Sequence, residues 1–431
     1  MSLMSVLVDH PLRYRLANEL HARPFPTATA PAGAIYLAIK RAEDAAGRDR
    51  VAYFDHLTAL LDRFGAPHPQ PGATHWFGDI GKARLKWEQH TEFVTYTLFV
   101  DQLEPRPFDA KAFDHFPADW LEQAPGVRIT SALIRVEQLM DEDQIVANLN
   151  DWFVAESLAT SEVLDGSAVI AGDFRIDAAG HMRFAMFTSA RCGERRIGRI
   201  VQRLCEIETY KSMSMLGLAR VRELSAPMAK LDTELSGLMS SMAGRTAAAE
   251  ETLDGLLAIS AELENMIAQS AFRFGATGAY EAIVNQRIEI LREERFTGRQ
   301  TFSEFMMRRF DPAMRTVKST ETRLQAMSAR ALRAGDLLRT RVDVERSAQN
   351  QTLLESMDER ADLQLRLQKT VEGLSVVAIS YYAVGLVINM LMPLGTSMGL
   401  SKAALTAIVT PLVIGAVWLM VRRIRETVEQ Q

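Results

Sequence analysis

Two long uncharged stretches near the C-terminus constrain this chain more than any other feature of it. Gly373 to Met392 reads GLSVVAISYYAVGLVINMLM, 20 residues without a charge. At about 1.5 Å per residue a helix of that length crosses a hydrocarbon core of roughly 30 Å. Ala403 to Val421 gives a second uncharged run of 19 residues. It contains Pro411, which a membrane helix tolerates when neighbours satisfy the freed carbonyl. The expectation is a transmembrane hairpin: a first span over 373–392, a short outer loop over 393–402 and a second span over 403–421. Arg360, Arg366 and Lys369 precede the first span, and Arg422, Arg423 and Arg425 follow the second. The loop carries only Lys402. Because basic residues stay on the cytoplasmic side, both termini and the 422–431 tail are expected there. For a bacterial chain the membrane is the inner one.

The rest of the chain must then be a cytoplasmic body. Its first residues, MSLMSVLVDHPLRYRL, lack the basic stretch and long apolar core of a secretory signal. Cys192 and Cys205 have neither CxxC spacing nor paired histidines, so no disulfide framework or zinc site is indicated. With 49 basic against 54 acidic residues, the chain lacks the basic excess of a nucleic-acid binder.

Residues 1–190 read as a mixed α/β domain. Leu85 to Val100 is rich in aromatic and β-branched residues, as a strand or tight pair of strands requires. Ala132 to Gln138 is another strand. Ala168 to Ile176 pairs with His181 to Thr188 through the turn-forming Asp177-Ala-Ala-Gly180. Helical patterns cover Val51 to Phe64 and Glu142 to Leu158. Residues 191–310 are rich in Ala, Leu, Met, Glu and Arg and read as antiparallel helices. Breaks are expected near Ala243-Gly244, Phe274 to Gly278, Thr297-Gly298 and Asp311-Pro312. Residues 311–372 read as one stalk helix, with an apolar seam running from Met314 to Val342. If it continues into the first span it reaches roughly 120 Å by helical rise. A lone helix of that length is unstable in water, so packing against the preceding helices or homo-oligomerisation is expected. The fold class is therefore α+β, a mixed N-terminal domain followed by a helical stalk and a two-helix membrane hairpin.

Candidate chemistry is sparse. Asn18-Glu19 and His21-Ala22-Arg23-Pro24 place acid-base and anion-binding groups close together, although they equally serve to fix a helix and its exit. His75, Trp76, Asp79, Glu88, His90 and Glu92 form a second group. If Glu88, His90 and Glu92 lie on one strand, its period of two puts them on one face as metal-type ligands, against the alternative of a solvated strand face. The acidic run Glu250, Glu251, Asp254, Glu262 and Glu264 reads as a solvated helix face. No phosphate loop, nucleophile elbow, zinc-helix pair or dinucleotide glycine pattern occurs, so no enzyme class gains support and no resident cofactor is implied.

The opening HPLRYRLANELHARPF, with its Asn18-Glu19 pair and His21-Ala22-Arg23-Pro24 element, resembles the bacterial family catalogued as domain of unknown function 3422. That resemblance covers the whole chain and implies kinship without an activity. The order of elements also resembles, more distantly, the CorA class of divalent-cation channels. That resemblance implies a homopentamer, a first span lining a pore, and a divalent cation such as magnesium as the transported species. Where that class has Gly-Met-Asn, this chain reads Val387-Ile388-Asn389-Met390-Leu391-Met392-Pro393, so only Asn389 carries over. A ring of Asn389 carboxamides could replace part of a cation's hydration shell. Two functions follow as expectations: a CorA-like channel or transporter with a cytoplasmic regulatory domain, or a tethered cytoplasmic binding or scaffold protein.

Overall fold

The computed structural model describes residues 8–19, 25–42, 50–244, 249–397 and 401–428. Residues 8–244 and 254–334 fall in one compact unit, while 249–253 and 335–428 fall in a second.

The first unit is organised by a nine-stranded sheet. Its strands are β1 (Ala32–Lys40), β2 (His75–Ile80), β3 (Ala83–Gln89), β4 (Phe93–Val100), β5 (Val127–Gln138), β6 (Ala159–Val163), β7 (Ala168–Gly172), β8 (Met182–Thr188) and β9 (Glu294–Arg295). They lie in the order β2-β3-β4-β1-β5-β8-β7-β6-β9. Neighbours run antiparallel except β5 and β8, which are parallel from Ala132 opposite Met182 to Gln138 opposite Thr188. Strand alternation divides the central side chains between two cores. Ile35, Leu37 and Ile39 of β1, with Trp87 and Tyr96, pack beneath Leu57, Leu60 and Leu61 of α2 (Arg50–Phe64) and Trp120 of α3 (Ala118–Glu122). A second cluster gathers Ile145 and Leu149 of α4 (Glu142–Trp152) over Val169 and Phe187. The β7–β8 hairpin is as the sequence suggests: Gly180 takes φ +89, and the Asp177 carboxylate accepts from the amides of Ala179 and His181 at 2.9 and 2.8 Å.

The opposite face of the sheet is covered by α5 (Glu194–Gly244), which contacts β1 and β5. Helix α6 (Ala249–Leu291) runs antiparallel to α5, since Arg287 pairs with Glu206 while Arg220 reaches Ser270 at 3.1 Å. The break expected at Phe274 to Gly278 is absent. Buried Ser270, Phe274, Thr277, Val284, Ile288 and Leu291 keep helical spacing straight through it, and the glycines lie on the open side. The helical region also belongs with the sheet: after α6 the chain returns as β9 to pair with β6. It then enters α7 (Phe302–Arg309) through a capping box between Thr301 and Glu304.

Helix α8 (Asp311–Ser397) is continuous through Pro393, so helix extends into the stretch expected to be loop. Every expected seam position from Met314 to Val342 is buried. Within the first unit, Arg323 and Arg330 of α8 both reach Asp232 of α5, at 2.8 and 2.5 Å, and Ser328 donates to Glu264 of α6 at 2.6 Å. Helix α9 (Lys402–Val428) follows. Among the described residues α8 and α9 each hold a segment long and apolar enough to cross a membrane, in keeping with a C-terminal hairpin.

Candidate functional site

The sheet face beneath α5 is where the first unit concentrates buried polar chemistry. Apolar residues would close such a face without cost, whereas each polar atom placed there needs a partner. Thr209 of α5 donates to the Cys205 carbonyl at 2.9 Å, which uses its only proton, so the Tyr36 hydroxyl donates to Thr209. Glu208 is 2% exposed and accepts from Thr130, Ser212 and Lys211 at 3.1, 3.0 and 2.7 Å. Lys86 and Glu88 form a buried pair at 2.9 Å. Glu206 accepts from Gln202 at 2.7 Å and pairs with Arg287 of α6. Burial raises the Tyr36 phenol and the Cys205 thiol well above their ordinary values, keeping both protonated and the thiol unreactive.

At the end of this seam stands Glu92, 1% exposed. It pairs with Arg273 of α6 and accepts from the Tyr280 hydroxyl at 3.0 Å. Burial, then the adjacent Glu92 charge, raises the Tyr280 phenol. Lys40 ends β1 nearby and donates to the Arg41 carbonyl at 2.7 Å; burial and then Arg273 lower its pKa. An aromatic group fills the remaining space. His90 stacks on Phe93 at 4.4 Å, and Tyr210 stacks on Tyr280 at 5.5 Å. The cavity among Lys86, Glu88, His90, Cys205 and Tyr210 measures about 20 Å³, room for one water. A second cavity, between Gly33, Phe108, His115 and Arg135, is about 50 Å³. Neither holds an organic substrate in this conformation.

The expectation that Glu88, His90 and Glu92 share one strand face is corrected by this geometry. A hairpin turn divides them: Glu88 lies in β3, while His90 and Glu92 lie in the turn before β4, where the His90 amide donates to Phe93 at 2.9 Å. Each side chain then goes to a different partner, Lys86, the aromatic group and Arg273 respectively. Among the described residues no three His, Cys, Asp or Glu side chains are placed to hold a metal ion. His75 and Asp79 lie exposed on edge strand β2, and Trp76 is buried with its indole donating to Pro67 at 3.1 Å. Asn18 and Glu19 end α1 (Arg13–Glu19), and His21 and Arg23 lie outside the described residues. Sequence reading missed Arg273 and Tyr280, the partners of Glu92. Their one signal is a cation and a phenol seven residues apart on α6, which places them on one helix face.

In the second unit Asn389 is exposed, one residue past buried Ile388. Ser380 and Ile388 mark the buried line of this part of α8, and Val409 and Val417 that of α9. Asn389 is therefore turned off the buried line.

The family described as Protein of unknown function (DUF3422) matches residues 8–428. No curated protein matches, and no solved structure matches. Nothing in these comparisons supports the architectural resemblance to the CorA class.

Proposed function

The chain belongs to the DUF3422 family, and from that premise we propose that it is a homo-oligomeric protein of the bacterial inner membrane that passes a divalent cation. In this reading the sheet unit and both termini are cytoplasmic, and the unit regulates passage. The observation that carries it is the continuity of α8. One helix supplies buried side chains from Met314 to Val342, continues exposed, and ends in the apolar segment bearing Asn389 on its open side. An asparagine on an otherwise apolar helix is costly facing lipid and useful facing water or a hydrated ion. A carboxamide ring supplies oxygen ligands without a buried charge.

The competing reading, a tethered binding or scaffold protein, draws support from the sheet unit. Glu88, Glu92, Glu206 and Glu208 are already held by cations and hydroxyls, and no metal-binding group occurs among the described residues. The discriminating measurement is divalent-cation flux into liposomes holding the purified full chain, with Asn389→Ala beside the native protein. Flux that the substitution lowers or changes in selectivity is the expected result. Flux no higher than in empty liposomes, from folded and inserted protein, overturns the transport reading in favour of the tether.

A further inference from the structure

From Val344 to Ser375 nearly every side chain of α8 is exposed. A helix free on all sides should be polar all round, and this one is not. Between Glu355 and Glu372 the chain carries eight charged residues. At about 100° per residue, all but Arg360 fall within an arc of roughly 140°. The opposite side carries Leu353, Met357, Leu363, Leu367 and Val371 within an arc of about 120°, with Arg360 at its middle, while Leu354 and Leu365 lie on the charged side. Each apolar residue of that 120° arc is between 59% and 66% exposed, so no described residue of the second unit covers them.

We propose that this uncharged side of α8 is a self-association surface, on which a second copy of the chain lies parallel and in register. The inference deepens the membrane-anchored reading above and rests on it for one point. If every copy is held by the same apolar segment, residue n of one copy stands level with residue n of the next. That levelling selects the face. Turned inward, the charged arc would set Glu355, Asp358, Glu359 and Asp362 against their own equivalents, stacking like charges over two turns. The uncharged arc meets itself with leucine against leucine and Gln364 or Gln368 amides against amides, which both donate and accept. Burying these aliphatic side chains supplies the driving force. Arg360 is the exception, and in parallel copies it faces its own equivalent. It should therefore weaken the association and set a limit on its tightness.

Cys192 and Cys205 are buried, so single cysteines can be added to the full chain with little background. The experiment places Leu353→Cys, Leu367→Cys, Asp362→Cys and Lys369→Cys separately in the purified protein, reconstituted at high lipid excess, and treats each with a short bis-maleimide. Same-residue crosslinking is expected from Leu353→Cys and Leu367→Cys, severalfold above the other two positions. Adding Leu367→Glu should cut the Leu353→Cys yield severalfold, and adding Arg360→Leu should raise it. Equal yields from both faces, no crosslink from correctly inserted protein, or indifference to Leu367→Glu overturns the proposal. So does a product in native membranes whose mass requires a different protein. Crosslinking needs no ion flow, so an absent flux with intact seam crosslinks removes the transport reading alone. Protein that fails to insert removes the anchored reading instead.

Discussion

The interior beneath α5 and the exposed length of α8 use charge in opposite ways. In the sheet unit, several charged groups are driven inside and matched at close range, as Glu92 is by Arg273 and Tyr280 and Glu208 by Lys211, Thr130 and Ser212. On α8 between Glu355 and Glu372, seven of the eight charges are gathered on one side in water, and apart from Arg360 the other side is left uncharged and exposed. The first arrangement completes itself within one chain, and its cavities hold little more than water. The second is complete only when something else lies against it. A side chain's contribution should differ accordingly: large and independent of concentration in the sheet unit, negligible for folding but decisive for assembly on the stalk.

The largest expected effect is at Glu92. Glu92→Ala leaves the partly buried Arg273 without its anion and should cost about 3 kcal/mol, read as a lowered urea midpoint of tryptophan fluorescence in the full chain. Replacing both, as Glu92→Leu with Arg273→Leu, should recover most of that loss, because the cost lies in the uncompensated charge. A double variant as unstable as the single one would place the cost in packing. Next is Gly198, at the start of α5. A Cβ there would stand 1.8 Å from the Pro26 carbonyl oxygen, so Gly198→Ala must push the 25–31 segment off the helix. A loss of about 1–3 kcal/mol is expected, with faster amide exchange at Ala28, whose amide donates to the Glu194 carbonyl at 3.2 Å.

Acid should also find the sheet unit. His56 Nε2 lies 3.0 Å from the Trp120 carbonyl and must donate to it, leaving Nδ1 to accept from the Tyr96 hydroxyl at 3.0 Å. Burial lowers the pKa of His56, and burial followed by Arg128 lowers that of His181. The unfolded chain then takes up protons at the ordinary histidine range, near 6.5, before the folded chain does. Stability therefore falls as pH drops through that range and levels off once the folded pKa values are passed. Melts of the full chain at about pH 7.5 and 5 should show this decline, and His56→Gln should flatten it while lowering stability at the higher pH.

Much of this contrast was legible in the sequence, and what was missed has physical causes. The two uncharged runs, the β7–β8 hairpin and the seam from Met314 to Val342 are local patterns, set by turn chemistry or periodicity. Strand β1 was missed although it is central: AGAIYLAIK has small residues where α5 approaches, which weakens its strand signal. Strand β9 is two residues long and acquires meaning only by pairing with β6 across about 130 residues. The Glu88, His90 and Glu92 reading failed because the turn between β3 and β4 reverses the chain where alternation was assumed to continue. The partners of Glu92 come from α6, and no local pattern specifies such a contact.

The smallest effect is the one that defines the stalk. Lys369 lies in the charged arc of α8, exposed and far along the helix from the sheet-unit contacts at Arg323, Ser328 and Arg330. Lys369→Ala should change the unfolding free energy of the sheet unit, read from urea melts, by no more than about 0.5 kcal/mol. It should leave the Leu367→Cys crosslink yield unchanged as well, since the charged arc faces away from the partner. Leu367→Glu, two residues earlier on the uncharged side, should be as silent in the urea midpoint and yet abolish most crosslinking. That pair separates folding from assembly on opposite sides of one helix. If Lys369→Ala destabilised the sheet unit by 2 kcal/mol or more, on the order of a buried contact, the stalk would be covered from within the chain and the contrast between the two regions would fail.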